Sequence, residues 1–199
     1  MSSKLAYCED WFRRHNLGLV FRQTPETESG VDEALNEAGF TVEGRTKVMV
    51  ASLSQVVASL SKQTGDDVGA ALSDEWVAAA SSLWGIDESR APAWRGILNR
   101  IDLPANYAAG YGVDGSVAVG LGVVDGDWLG VFELIVAQAV RRQGHGARLL
   151  SELTQWGSAC GASRAYLQVV EDNAAAIGFY KSVGFEEAYT YWYRRLPVR

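Results

Sequence analysis

The residues Arg141-Arg142-Gln143-Gly144-His145-Gly146-Ala147 stand between an apolar run that ends at Val136 and a stretch of helical periodicity. Glycines at the first turn of a helix let the backbone pass close to a bulky anion, and the unpaired amides of that turn point at it. Arg141 and Arg142 add positive charge, so the spacing suits a pyrophosphate. Two other phosphate loops are excluded: a dinucleotide fingerprint needs a third glycine where Leu149 stands, and a triphosphate loop needs Gly-Lys-Ser or Gly-Lys-Thr, which is missing. Taken alone, Gly-x-Gly describes a plain glycine-rich helix start equally well. Glu133 is the second chemically suggestive residue, a carboxylate inside the apolar run Val131-Phe132-Glu133-Leu134. Apolar surroundings raise a carboxyl pKa and suit it to accept a proton near neutral pH. Strand alternation sets Phe132 and Leu134 on one face and Glu133 with Val131 and Ile135 on the other, and leaves open which face is solvated.

The elements that must hold these residues are readable from period and punctuation. Residues 107–113, 116–124 and 128–136 read as a three-stranded antiparallel meander, with turns at Asp114-Gly115 and Asp125-Gly126-Asp127. A helix over 146–159, a strand over 165–170, a helix over 173–183 ended by Gly184, and a strand over 188–195 follow. The expected class is α/β (α+β): a mixed, mostly antiparallel central sheet flanked by helices. Upstream, a helix over 5–14, a strand over 19–22, a helix over 31–38 ended by Gly39 and a strand over 46–53 are predicted. Residues 54–101 read as helical, with a loop at Gly65, a helix start at Ser73 and a further helix over 93–99 bracketed by Pro92 and Pro104. The seven tryptophans are expected mostly in the core.

In this context the loop resembles the signature of the GNAT superfamily, Arg/Gln-x-x-Gly-x-Gly/Ala, met by Arg141, Gly144 and Gly146 after a strand and at a helix start. Further on, Asn173-Ala-Ala-Ala-Ile-Gly-Phe-Tyr-Lys-Ser-Val-Gly-Phe is similar to a second element of that family, carried here by Asn173, Ala176, Tyr180, Gly184 and Phe185. The resemblance covers residues 107–199 and implies an N-acetyltransferase with acetyl-CoA as acyl donor and no metal. It puts the CoA pyrophosphate on the loop Arg141, Arg142, Gln143, Gly144, His145, Gly146 and Ala147, and the pantetheine against the backbone of Leu134, Ile135 and Val136. Asn173 and Tyr180, on one helical face roughly 10 Å apart, would touch CoA and its sulfur, and Tyr180 would protonate the departing thiolate. Attack needs a neutral amine, for which Glu133 or a water path is the base. His145, between two loop glycines, belongs to the phosphates or solvent and not to proton transfer. One departure is Ala137-Gln138-Ala139, where the family often has a proline. The acceptor expected is a primary amine on a small molecule or peptide. The alternative is a GNAT-like module that binds acyl-CoA without turnover, as a sensor or partner domain.

Gly39-Phe40 and Gly184-Phe185 each end a short helix between two strands. Residues 1–53 are therefore expected to be a partial GNAT-like strand–helix–strand unit without a CoA site, ahead of a GNAT domain over 54–199. That unit buries too little apolar surface to fold alone, so pairing with the strand over 188–195 is expected, within the chain or by exchange in a homodimer. At 199 residues, 48% of them apolar, the chain has the means for a sizeable core. A net charge of −6 and no basic run argue against nucleic acid. No run suits a bilayer or a signal peptide, so a cytoplasmic protein without membrane contact is expected. Cys8 and Cys160 are too far apart to suggest a metal site and are expected to be buried or inert thiols.

Overall fold

The structure, a computed structural model, describes residues 2–60, 71–112 and 115–196. The expected loop at Gly65 and the Val113-Asp114 end of the first hairpin lie outside the described residues. The described elements are α1 (Ser2–Arg14), β1 (Val20–Gln23), α2 (Val31–Glu37), β2 (Thr41–Ser52), α3 (Leu53–Ser59), α4 (Asp74–Trp84) and α5 (Ala91–Leu98). They continue with β3 (Ala105–Gly112), β4 (Gly115–Asp125), β5 (Trp128–Val136), α6 (His145–Ala159), β6 (Arg164–Val170), α7 (Ala174–Ser182) and β7 (Glu186–Arg195). Among the described residues the strands form one mixed, seven-stranded sheet in the order β1-β7-β2-β6-β5-β4-β3. The strand order places β2 beside β7, the strand expected from sequence to pair with it.

The chain divides into two compact units that are discontinuous in sequence: Val50–Leu167 with Phe179–Glu186, and Met1–Met49 with Gln168–Gly178 and Glu187–Arg199. In the larger unit, β3 to β5 form the antiparallel meander. On one face, Trp76, Val77 and Ala80 of α4 and Leu98 of α5 bury against Tyr107, Ala109, Val119 and Leu121. Trp76 also satisfies its indole N–H, which donates to the Ala108 carbonyl at 2.9 Å. Helix α4 starts where Ser73 was expected to start it: the Ser73 hydroxyl accepts the Trp76 amide at 3.1 Å. The other face is covered by α6, whose Leu149, Leu150 and Leu153 are fully buried.

The smaller unit has its own apolar cluster, Leu19, Leu35 and Phe40, with Leu5, Cys8, Phe12 and Phe21 packed against it. Beside it Arg194 is 7% exposed. Its guanidinium donates to both carboxylate oxygens of Asp32 at 2.8 and 2.6 Å, to Asn36 Oδ1 at 3.0 Å and to the Phe40 carbonyl at 3.2 Å. The Trp192 indole donates to the same carboxylate at 2.8 Å. The Arg194 hydrogen bond, assisted by Trp192, holds the Asp32 carboxyl below the usual range despite partial burial. Removing it strands a buried cation, so Asp32→Ala is expected to cost about 1–3 kcal/mol at neutral pH, allowing for the partial exposure of the carboxylate. A lowered folded pKa means that this stability is present above the ordinary aspartate value and is lost as pH falls through the lowered one. Urea unfolding of both proteins at neutral and strongly acidic pH checks this: a difference that stayed constant across that range would contradict the assignment.

Several expectations are corrected. Of the tryptophans only Trp76 is fully buried, while Trp11 and Trp84 are 40% and 49% exposed, because apolar spacing on short helices covers a face without closing it. Cys160 is exposed, since it is the residue on which α6 ends, and Cys8 is partly buried, so neither of the two thiols expected to be buried or inert is fully buried. Pro92 does not stand outside its helix but within the first turn of α5, where a missing N–H costs nothing. Strand β2 begins at Thr41, five residues before the expected start, and its first five residues are exposed. Their polar and glycine composition hid the strand.

Candidate active site

Strand β5 carries the first part of the site. Its parallel pairing with β6 runs from Trp128↔Arg164 to Val131↔Leu167 and ends there. From Phe132 to Val136 the strand keeps β4 on one edge and leaves backbone N–H and C=O groups free of β6 on the other. The β4 pairing itself slips, with Leu121 opposite Phe132 but Val119 opposite Ile135, so Gly120 faces two residues, Glu133 and Leu134. This is a β-bulge. Glu133 takes a left-handed backbone, φ 51°.

The bulge overturns the alternation expected from sequence. Phe132 and Ile135 both pack on the Trp76 cluster. Leu134 lies on the α6 side, where a Cβ placed on Gly120 would come within 3.1 Å of both Leu134 and Leu153. Glu133 sits at the switch, half-buried, and loss of solvent pushes its carboxyl pKa up.

The second part follows directly. After β5 a single 3-10 turn (Gln138–Val140) leads to Arg141 in extended conformation, and Arg141 Nε donates back to the Val136 carbonyl at 3.2 Å. Arg142 and Gly144 both have positive φ, 67° and 86°. Gly144 caps α6 without a side-chain hydrogen bond, so the helix begins with its first amides unclaimed by a cap. A side chain at Gly146 would meet only Val136 Cγ2 at an ordinary 3.5 Å. Packing therefore does not demand glycine there, and the bare first turn leaves space for a ligand. Arg148, absent from the sequence-based site, binds the loop from inside the helix: it donates to the Gln143 carbonyl at 3.3 Å and to His145 Nδ1 at 2.8 Å. Its spacing of three residues from His145 was the available signal.

Tyr180 is the third part. Its ring packs against Phe179 and Phe185 at centroid distances of 5.3 and 5.8 Å, and burial raises its pKa to about 12. The hydroxyl makes no hydrogen bond to the described residues, so a buried phenol keeps its proton and has it free to give. Asn173 belongs to the smaller unit, where its Oδ1 accepts the Ala176 amide at 3.1 Å and caps α7. Among the described residues no group of three or more His, Cys, Asp and Glu is placed to hold a metal ion. No described helix is long and apolar enough to cross a membrane.

A strand that parts from its parallel neighbour, a bulge at that point and an uncapped glycine helix start just beyond it define an acyltransferase of GNAT fold. The family described as "Probable histone acetyltransferase Rv0428c C-terminal" matches residues 2–194, and the chain belongs to that family. The chain is similar to the uncharacterized N-acetyltransferase YobR of Bacillus subtilis (strain 168), at 25% identity over 195 residues, 94% of this chain and 76% of the relative. Among solved structures, a GCN5-related N-acetyltransferase from Kribbella flavida superposes with a TM-score of 0.72 at 19% identity, over 98% of this chain and 74% of the other. A tandem GNAT protein from the clavulanic acid biosynthesis pathway gives a TM-score of 0.71 at 12% identity, over 100% of this chain and 70% of the other.

Proposed function

We propose that the protein transfers an acetyl group from acetyl-CoA to a primary amine by direct attack, with Glu133 as base and Tyr180 as acid. The observation that carries this reading is the free edge of β5 after Val131, which leads within a few residues to the uncapped amides of α6. The residues fit the donor. The edge of Leu134, Ile135 and Val136 suits the amides of a pantetheine. The turn from Arg141 to Ala147, with Gly146 bare, suits a diphosphate. In the reaction Glu133 takes a proton from the acceptor nitrogen, whose lone pair forms the new C–N bond at the thioester carbonyl. The C–S bond breaks, its electrons go to sulfur, and Tyr180 gives that sulfur its proton. Solvent afterwards removes the proton from Glu133 and restores that of Tyr180.

The test joins binding to turnover. Wild-type protein is titrated with CoA by calorimetry, and amine-dependent release of free thiol is followed against a panel of small amines and amine-bearing peptides. Gly144→Val places a branched residue at φ 86° and a side chain at the loop, and is expected to weaken CoA binding by about tenfold or more while the fold persists. Unchanged CoA affinity in a folded Gly144→Val protein would remove the loop from the site, and thiol release without any amine dependence would remove the transfer.

The same proposal includes the N-terminal unit as a degenerate copy of the C-terminal strand–helix–strand. Two observations support it. The helix ends match in detail: Gly39 and Phe40 donate to Asn36 and Leu35, as Gly184 and Phe185 donate to Lys181 and Tyr180. The order β1-β7-β2-β6 also reads the same when the β1–β2 pair is exchanged for the β6–β7 pair. In that register Leu35 occupies the place of Tyr180, so the copy has no acid and no second active site is expected.

A further inference from the structure

We propose that Arg148 is the positioning residue of the diphosphate loop, fixing both the tautomer of His145 and the direction of the Gly144 amide. The proposal rests on the reading of residues 141–147 as the CoA diphosphate site.

A guanidinium only donates. The 2.8 Å contact between Arg148 and His145 Nδ1 therefore makes Nδ1 an acceptor, and the ring proton of His145 sits on Nε2. An imidazole at the first position of α6 is thereby turned into a donor aimed away from Arg148. The second bond acts on the backbone. In a planar trans peptide C=O and N–H point in opposite directions. Drawing the Gln143 carbonyl back to Arg148 at 3.3 Å turns the Gly144 N–H the other way, outward from the helix. The left-handed conformations of Arg142 and Gly144 flank that peptide and give the loop other conformations to fall into once the bond is lost. Arg148 thus orients two donors for an anion that it need not touch, and the α6 amide at its own position stays in the helix, bonded to the Gly144 carbonyl at 3.0 Å.

The chain contains an internal reference for the experiment. It has two histidines. His15 Nδ1 lies 2.7 Å from the Trp11 carbonyl, which can only accept, so His15 carries its proton on Nδ1, opposite to His145. Long-range nitrogen–proton NMR of the histidine rings in the full chain, without ligand, is expected to show one ring of each tautomer in wild type. In Arg148→Ala the His145 pattern is expected to change while that of His15 stays.

In calorimetry, Arg148→Ala is expected to weaken binding of CoA and of 3′-phospho-ADP by about ten- to a hundredfold, with little change for pantetheine. Arg148→Lys keeps the charge but cannot hold both bonds, and is expected to recover only a minor part of the loss. His145→Phe should retain the ring volume and lose part of the diphosphate affinity. A wild-type His145 with its proton on Nδ1 overturns the proposal at its first step. Full rescue by Arg148→Lys overturns positioning in favour of charge alone, and unchanged CoA affinity in a folded Arg148→Ala protein overturns it as well. Failure of wild-type protein to bind CoA, with the NMR pattern as expected, refutes the diphosphate reading and leaves the orientation of His145 standing.

Discussion

Glu133→Gln is expected to lower turnover by about a hundredfold or more with small change in CoA affinity, because a general base contributes on that scale and the carboxamide keeps the volume. The pH profile makes the test specific. Burial raises the Glu133 pKa, and the base works only when ionised, so activity of the wild type should rise through a pKa above the ordinary glutamate value and then level. In Glu133→Gln that limb should vanish. The same shift has a stability consequence of defined sign: a carboxyl with a raised folded pKa favours folding below its unfolded value, and this contribution is lost as pH rises through the folded one. Wild type should therefore lose stability relative to Glu133→Gln over that window. Backbone strain adds a second arm. A non-glycine residue at φ 51° costs roughly 1–2 kcal/mol, so Glu133→Gly should be inactive yet at least as stable as wild type, where glycine in an ordinary strand weakens it. Retained turnover in Glu133→Gln would pass the proton to a water path, and a clear loss of stability in Glu133→Gly would show that the bulge is not strained.

This strain explains what the sequence hid. The strand over 128–136 was legible to the residue from its apolar run and the Asp125-Gly126-Asp127 turn, and the glycine loop from its position between strand and helix. The bulge was not, since the usual marker of a left-handed position is glycine and here the residue is a glutamate without a register partner on β4. Alternation then gave the wrong partner for Leu134. Arg148 was missed for a related reason: its bonds go to a backbone carbonyl and a ring nitrogen, and the one trace they leave in the sequence is a basic residue three positions after His145. In the smaller unit the exposed start of β2 carried no periodicity, so only its buried later half was legible as a strand.

Tyr180→Phe is expected to reduce turnover by about ten- to a thousandfold and to leave the fold intact. The ring is held by Phe179 and Phe185, contacts that phenylalanine reproduces, and the hydroxyl has no partner among the described residues that its removal would strand. Thermal stability should therefore stay about the same. The chemical role depends on the proton. With a pKa pushed up to about 12, Tyr180 stays protonated across the whole working range, so no basic limb from this residue should appear near neutrality. A phenol that weak gives up its proton only to a strong base, and the sulfur becomes one only as the C–S bond breaks; the acid is thus engaged in the transition state and not in the bound donor. CoA affinity should change little, and the fall should lie in kcat. If proton transfer to sulfur limits the wild type, its solvent deuterium isotope effect should shrink in Tyr180→Phe, where the thiolate departs unprotonated. Equal turnover in the two proteins, with chemistry shown to be limiting, would reduce Tyr180 to a core aromatic of α7 and leave the thiolate to solvent.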